Sequence, residues 1–224
     1  MDRKRKILIL IDWYLPGFRA GGPIQSCANI VDQFKNEFDF SVGTSDTDLG
    51  ETSPYPNIKP DNWNEISTGS RVYYFLSGGL SFIKIKQFLL REDFDAVYLN
   101  SLFSTYFTIY PLLILKRNKP AVKEIVAPRG MLGRGALNIK PLKKKLFLTF
   151  SKAFGLYKRV IWHASTETEL KEIKGTFGDD AEVVTALNLP SVRKPERVKR
   201  VKESGKLNLI FLSRISVKKN LHLA

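Results

Sequence analysis

Five consecutive branched apolar residues, Ile7, Leu8, Ile9, Leu10 and Ile11, follow a basic start and stop at Asp12. A run this short, with no polar alternation, fits a strand buried on both faces, the setting found in parallel sheets covered by helices on both sides. It predicts a central first strand. An aromatic, proline-broken loop follows over residues 13–18, then Arg19, Ala20, Gly21 and Gly22, and Pro23 opens a helix over residues 23–34. Proline suits the first helical turn, where its missing N–H has no partner to lose. Glycines at that junction let a ligand approach the backbone, and the free N–H groups and positive dipole end of the new helix attract an anion. Gly21 and Gly22 are therefore a candidate phosphate cradle. They also have a plainer reading, relief of crowding at a loop end, and the pair alone does not choose. A dinucleotide fingerprint needs its glycine turn directly after the strand, so the ten-residue loop over residues 12–21 disfavours NAD.

Strand and helix patterns then alternate. Strands are expected at residues 38–42, 71–76, 95–100, 122–127, 159–164 and 182–186, and helices at 81–91, 103–116 and 137–154. A further helix starts at Ser165, Thr166 and Glu167, where hydroxyls offer caps and the acids Glu167 and Glu169 meet the positive dipole end. This alternation is the signature of an α/β, Rossmann-like, doubly wound parallel sheet. Residues 45–70 carry Pro54, Pro56 and Pro60 with little periodicity and read as a long excursion, in which Trp63 has two readings, an anchor to the domain, which is favoured, or a ligand contact. In such sheets ligands collect beyond the carboxyl ends of the strands. Arg129, in the turn Pro128 to Met131, and His163, where the sixth strand ends, both lie at that edge. A histidine at a strand end is more often a packed or hydrogen-bonded structural residue than a catalyst.

The chain has 224 residues, enough for one α/β domain with room for a second element. Its 36 Lys and Arg against 22 Asp and Glu give a net charge of +14, which suits nucleic acid, an anionic membrane surface or phosphate-bearing substrates. The helix at 137–154 holds Lys140, Lys143, Lys144, Lys145 and Lys152 among Leu142, Leu146, Phe147, Leu148 and Phe150. That is a basic amphipathic pattern, and a solvated lysine face over an ordinary core stripe also explains it. Elsewhere the excess charge is spread rather than interleaved with aromatics in a recognisable module, so no nucleic-acid partner is expected. Cys27 is the only cysteine, excludes an internal disulfide and is expected to pack under the first helix. The basic start and short apolar run lack the length and small-residue cleavage site of a signal peptide, and a cytoplasmic location is expected. Residues 97–115 carry no charge, yet a strand followed by a buried helix accounts for them better than a membrane span. Residues 1–190 form the first domain, the Lys-, Arg- and Pro-rich residues 191–206 a linker, and 207–224 the start of a second domain.

Four segments taken together, YLPGFRAGG, APRGML, IWHASTETE and FLSRISVKKN, resemble in order the amino-terminal part of family 4 glycosyltransferases, retaining sugar-nucleotide enzymes of the GT-B fold. The resemblance implies the amino-terminal, acceptor-side half of that architecture. It would set Gly21 and Gly22 against the donor diphosphate or transferred sugar, with Arg214 and Lys219 clamping the diphosphate. Arg129, where many relatives have histidine, and His163 become candidate catalytic residues. Fixed cations and amides aimed at the departing diphosphate lower the barrier without a metal, and neither a metal nor another cofactor is expected. The partners implied are a nucleotide sugar and a glycan or lipid-linked acceptor in surface polysaccharide synthesis. Many relatives work at the inner membrane face, which points to peripheral attachment through Lys143, Lys144 and Lys145. The family's E-x7-E acids lie in the second domain beyond residue 224, so this chain by itself is expected to be inactive. The rival readings are a basic nucleic-acid-binding domain and a non-catalytic interaction domain; paired glutamates downstream in a longer chain favour the transferase.

Overall fold

In the computed structural model the described residues are 3–66 and 70–192, with Gly205 and Ile210. Arg214, Lys219 and the expected start of a second domain lie outside them. The apolar run becomes β1 (Arg5–Leu10), paired on one side with β2 (Phe38–Ser45) and on the other with β5 (Ala96–Leu99). Among the described residues eight strands form one sheet in the order β3-β4-β2-β1-β5-β6-β7-β8. Here β3 is Trp63–Glu65, β4 Arg71–Phe75, β6 Lys123–Val126, β7 Ile161–Ala164 and β8 Val183–Thr185. Every neighbouring pair is parallel except β3 and β4. This is the doubly wound arrangement that the alternation predicts.

The direction of winding reverses at β1. The chain first moves outward through β2 to β4, then returns to β5 and proceeds the other way. Right-handed crossovers moving in opposite directions put their helices on opposite faces. Successive side chains of the first strand alternate accordingly. Ile9 and Ile11 join Ile24, Cys27 and Val31 of α1 (Gly22–Phe34) in one buried cluster. Leu8 and Leu10 join the other, which receives Ile85 and Leu89 of α2 (Phe82–Arg91), Leu112 and Leu115 of α3 (Tyr110–Asn118) and Ile173 of α6 (Glu167–Phe177). Cys27 is fully buried, as expected, and burial pushes its thiol up to about 12, far from the reactive thiolate range.

Two expected helices are broken, each at a proline. The helix expected at 137–154 begins only at Pro141, as α5 (Pro141–Ala153), after a separate short helix α4 (Arg134–Leu137), because Pro141 disfavours helical backbone at Lys140, which turns left-handed at φ 56°. The helix expected at 103–116 opens instead as a π turn over Thr105–Ile109 before α3. Pro111 has no N–H to offer and its ring crowds the carbonyl four residues back, and the wider turn relieves both.

The excursion at 45–70 contains β3, which runs antiparallel along the sheet edge. Trp63 fixes it there: its ring meets Tyr73 at 5.4 Å and Phe88 at 5.6 Å, Arg71 lies 4.3 Å over it, and its Nε1–H donates to Glu92 at 3.1 Å. The anchoring role expected of this residue follows from those contacts. Replacing it, Trp63→Ala, empties a ring-sized space and leaves Glu92 without that donor. A loss of about 3 kcal/mol is expected in urea unfolding.

Candidate functional site

The reversal at β1 opens a crevice at the carboxyl ends of the strands, and four loops meet there. The first comes from β1. Gly21 precedes α1 at φ 70° and ψ −123°, a conformation that a side chain resists. No side chain caps α1 and no acid lies in its first turn, so its positive end is uncompensated. The loop before it is held from two places: in the excursion Asp48 Oδ2 accepts the Phe18 and Arg19 N–H groups at 2.9 and 3.2 Å, and on β4 Tyr74 OH donates to the Leu15 carbonyl at 2.6 Å.

The second loop follows β6, where Arg129 and Gly130 are consecutive left-handed residues at φ 55° and 70°. Glu169, on α6, holds this turn. One carboxylate oxygen accepts the Gly130 N–H at 2.7 Å, and the other accepts the Ser165 N–H and hydroxyl, each at 2.7 Å. Burial pushes this carboxyl up, but the bonds from Ser165 and Gly130, with the Arg129 charge nearby, outweigh it and keep the acid below its ordinary value. Glu169 therefore stays ionised and ties the β6 loop to the β7 loop.

Arg129 is fixed at three nitrogens. Nε donates to Asn100 Oδ1 at 2.9 Å, Nη1 to Asn188 Oδ1 at 2.6 Å and Nη2 to the Tyr98 hydroxyl at 2.8 Å. Tyr98 OH lies 2.6 Å from His163 Nδ1, and His163 Nε2 lies 2.8 Å from the Ala186 carbonyl. A carbonyl can only accept, so Nε2 carries the imidazole proton and Nδ1 accepts from Tyr98. Burial pushes this histidine down; the Ala186 carbonyl opposes that, the Arg129 charge adds to it, and the net value lies below the ordinary 6.5. Both ring nitrogens are thus committed in a neutral imidazole.

The third loop, after β7, supplies Ser165, and the fourth follows β8. Asn188 Oδ1 also accepts from Ser26 Oγ at 2.7 Å, while Asn29 and Gln33 donate to the carbonyls of Leu189 and Pro190, each at 2.7 Å. One polar face of α1 therefore straps this segment alongside the crevice. An open cleft of about 480 Å³ results, lined by Gly22, Pro23, Ser26, Arg129, Gly130 and Ser165 among others. Its walls are a helix N-terminus on one side and a guanidinium on the other, an arrangement that suits an anion.

Of the residues singled out from sequence, Gly21, Gly22, Arg129 and His163 gather at this one edge. Lys143, Lys144 and Lys145 lie apart from it on α5, and Lys144 turns back to donate to the Ala136 carbonyl at 2.6 Å. Sequence reasoning missed the parts played here by Tyr98, Asn100 and Asn188, and read Glu169 only as an acid at the start of a helix. Only Glu169 left a trace, the spacing Thr166-x-x-Glu169 of a capping box. Thr166 does cap α6 by accepting the Glu169 N–H at 3.1 Å, but the carboxylate reaches across to another loop.

No protein-family model matches the chain, and no curated protein matches it in sequence. Among solved structures the chain is similar to Anabaena HepE (Alr3699), crystallised in complex with UDP-glucose, with a TM-score of 0.52 and 12% identity over 82% of this chain and 44% of HepE. It thus spans less than half of that protein. Sucrose-phosphate synthase of Thermosynechococcus elongatus gives a TM-score of 0.47 at 12% identity, over 83% of this chain and 88% of that one. The likeness to HepE is one of fold, a Rossmann-like α/β sheet of the GT-B kind.

The histidine assignment has two measurable consequences. At pH 7, long-range proton–nitrogen spectra should find His163 as the Nε2–H tautomer. Because its folded value is depressed, its contribution to stability is complete above the unfolded value near 6.5 and is lost as pH falls through the folded value. His163→Gln should flatten that part of the stability profile, and an imidazolium signal at pH 7 would contradict the assignment.

Proposed function

We propose that the chain is the acceptor-side part of a glycosyltransferase that uses a nucleotide sugar. The observation that carries this reading is the cleft in which the open N-terminus of α1, at Gly22, faces a guanidinium held by three hydrogen bonds. Sugar transfer from a nucleotide sugar releases a diphosphate, so negative charge grows on the leaving group. Donors and charges already in position stabilise that growth at no cost of reorganisation. Arg129 cannot swing, and Gly21 and Gly22 let phosphate oxygens or a sugar approach the backbone closely. His163 acts by fixing Tyr98, and through it Arg129, rather than by transferring a proton. The order of the four sequence segments supports the same reading, and so does a fold shared with a protein solved with UDP-glucose.

The resemblance extends the proposal. Arg214 and Lys219 complete the diphosphate clamp, anomeric configuration is retained, and the acceptor is a glycan or lipid-linked saccharide of a surface polysaccharide. The protein works at the cytoplasmic side, and no metal is required.

Gly22→Asp tests the anion site, because its two effects have opposite signs. A side chain at this position meets nothing within 4 Å, and an acid in the first turn complements the helix dipole. Stability should rise by about 0.5 kcal/mol. Titration with millimolar UDP-glucose or GDP-mannose, followed by amide spectra, should shift Gly22, Gly130 and Ser165 in the parent, with roughly tenfold weaker binding in the variant. Equal binding by both proteins would refute the anion site; no shift at these amides with any nucleotide sugar, in this chain or in one extended through the second domain, would refute the reading as a whole.

A further inference from the structure

A cavity of about 470 Å³ opens at the other edge of the sheet. Arg159 and Val160, just before β7, line it together with Ala181 and Glu182, just before β8. The cleft at Arg129 is lined from beyond the far ends of the same two strands, by Ser165 and Leu189. A strand of the length of β7 spans about 13 Å, and the two spaces share no lining residue.

The floor of this cavity is a packed aromatic group. Trp162 stacks on Phe177 at 4.4 Å, and Tyr157 lies 5.2 Å from the indole. Only 1% of Trp162 is exposed, yet its Nε1–H donates to no described residue and is not among the partnerless side-chain atoms sealed from solvent. The indole N–H therefore opens onto the cavity that Trp162 lines. A donor so placed goes without a hydrogen bond unless something in the cavity accepts it.

The walls carry opposite charges that do not meet. Lys152, Lys158 and Arg159 come from the end of α5 and the turn after it, and Asp180 and Glu182 from the turn after α6. All five are exposed, and none forms an ion pair with a described residue. One Arg159 nitrogen donates to the Pro120 carbonyl, and Lys152 lies 5.9 Å over the Phe177 ring.

We infer that this cavity binds an acidic saccharide, a short sugar chain bearing carboxylates, at a place separate from the transfer cleft. The carboxylates meet Lys152, Lys158 and Arg159, ring hydroxyls donate to Asp180 and Glu182, and a sugar oxygen accepts the Trp162 N–H. A hydroxyl both donates and accepts, which suits a site that sets carboxylates beside an N–H donor. The volume is that of a small-molecule site and holds about two sugar rings. A nucleotide base needs an open aromatic face, whereas Trp162 and Phe177 cover one another and Lys152 lies over the latter. A bare anion would face two carboxylates, a metal ion three cations, and an apolar ligand would strip water from all five charges. Binding here needs no nucleotide sugar and no cleft residue, so this proposal and the one for the cleft can fail separately.

Titration of α-1,4-digalacturonate into the isotope-labelled chain at pH 7, without nucleotide sugar, tests it. At millimolar ligand the Trp162 indole signal should shift together with the Val160 and Glu182 amides. Neutral digalactose, which lacks the carboxylates, should bind about tenfold more weakly. The pair Lys152→Gln and Lys158→Gln should weaken digalacturonate by a similar factor. The pair Asp180→Ala and Glu182→Ala separates a saccharide site from general attraction of anions, because it raises the positive charge while removing the hydroxyl acceptors. Digalacturonate should bind this variant less tightly, whereas a ligand held by charge alone would bind it more tightly. Both pairs replace exposed side chains and should leave thermal unfolding unchanged. The proposal is overturned if the indole signal does not move, if inorganic phosphate or free glutamate moves it as well as digalacturonate does, or if loss of Asp180 and Glu182 tightens binding.

Discussion

Burial of β1 on both faces is the constraint from which the rest of the structure follows. A strand that hides Leu8, Ile9 and Leu10 on both faces has to sit between two strands and beneath helices on both sides, and the winding reverses around it. Asp12, at its end, ties the two halves together. Its carbonyl accepts the Ser45 N–H and hydroxyl and the Thr44 hydroxyl on the β2 side, while its carboxylate accepts Ser104 Oγ at 2.7 Å on the β5 side. Burial pushes that carboxyl above its ordinary value, although the Ser104 bond opposes the shift. The crevice is thus framed by the fold itself, and a ligand does not have to open it.

Buried polar groups, more than apolar packing, give the crevice its loops. Asp46 accepts from the Ser77 N–H and hydroxyl, Asp48 from Phe18 and Arg19, and Glu169 from Gly130 and Ser165. Each carboxylate belongs to one segment and holds another that is distant in sequence. Charged groups of this kind are costly to bury and weaken a fold when a partner is lost, so they persist where fixed geometry matters. Here the geometry they fix is that of the cleft, with Arg129 held at its wall by three hydrogen bonds.

Helix α5 follows a different logic. Helices α1, α2, α3 and α6 supply side chains to the two cores, whereas α5 is satisfied on its inner side and still carries a row of leucine and phenylalanine toward solvent.

What the sequence determined by itself is what operates along the chain. The unbroken run at Ile7 to Ile11 could only be a covered strand, Pro23 and the glycines before it set the start of α1, Thr166 set the start of α6, and the alternation of patterns set the doubly wound sheet. Pro141 also carried the break between α4 and α5, a local signal that the longer amphipathic pattern hid. Tertiary structure decided whatever depends on register between segments. β3 is three residues long, too short for any periodicity, and exists because β4 offers it an edge. Arg129, Tyr98 and His163 come from three separate strand ends, 31 and 65 residues apart, and only the parallel pairing brings them within hydrogen-bond reach. Sequence placed Lys143, Lys144 and Lys145 together on one helix, but packing against Phe103 and the Ala136 carbonyl turned one inward and left the others with the apolar stripe. Local preference acts over a few residues, while polar partners and exposed faces are fixed by contacts that form only once the whole sheet is assembled.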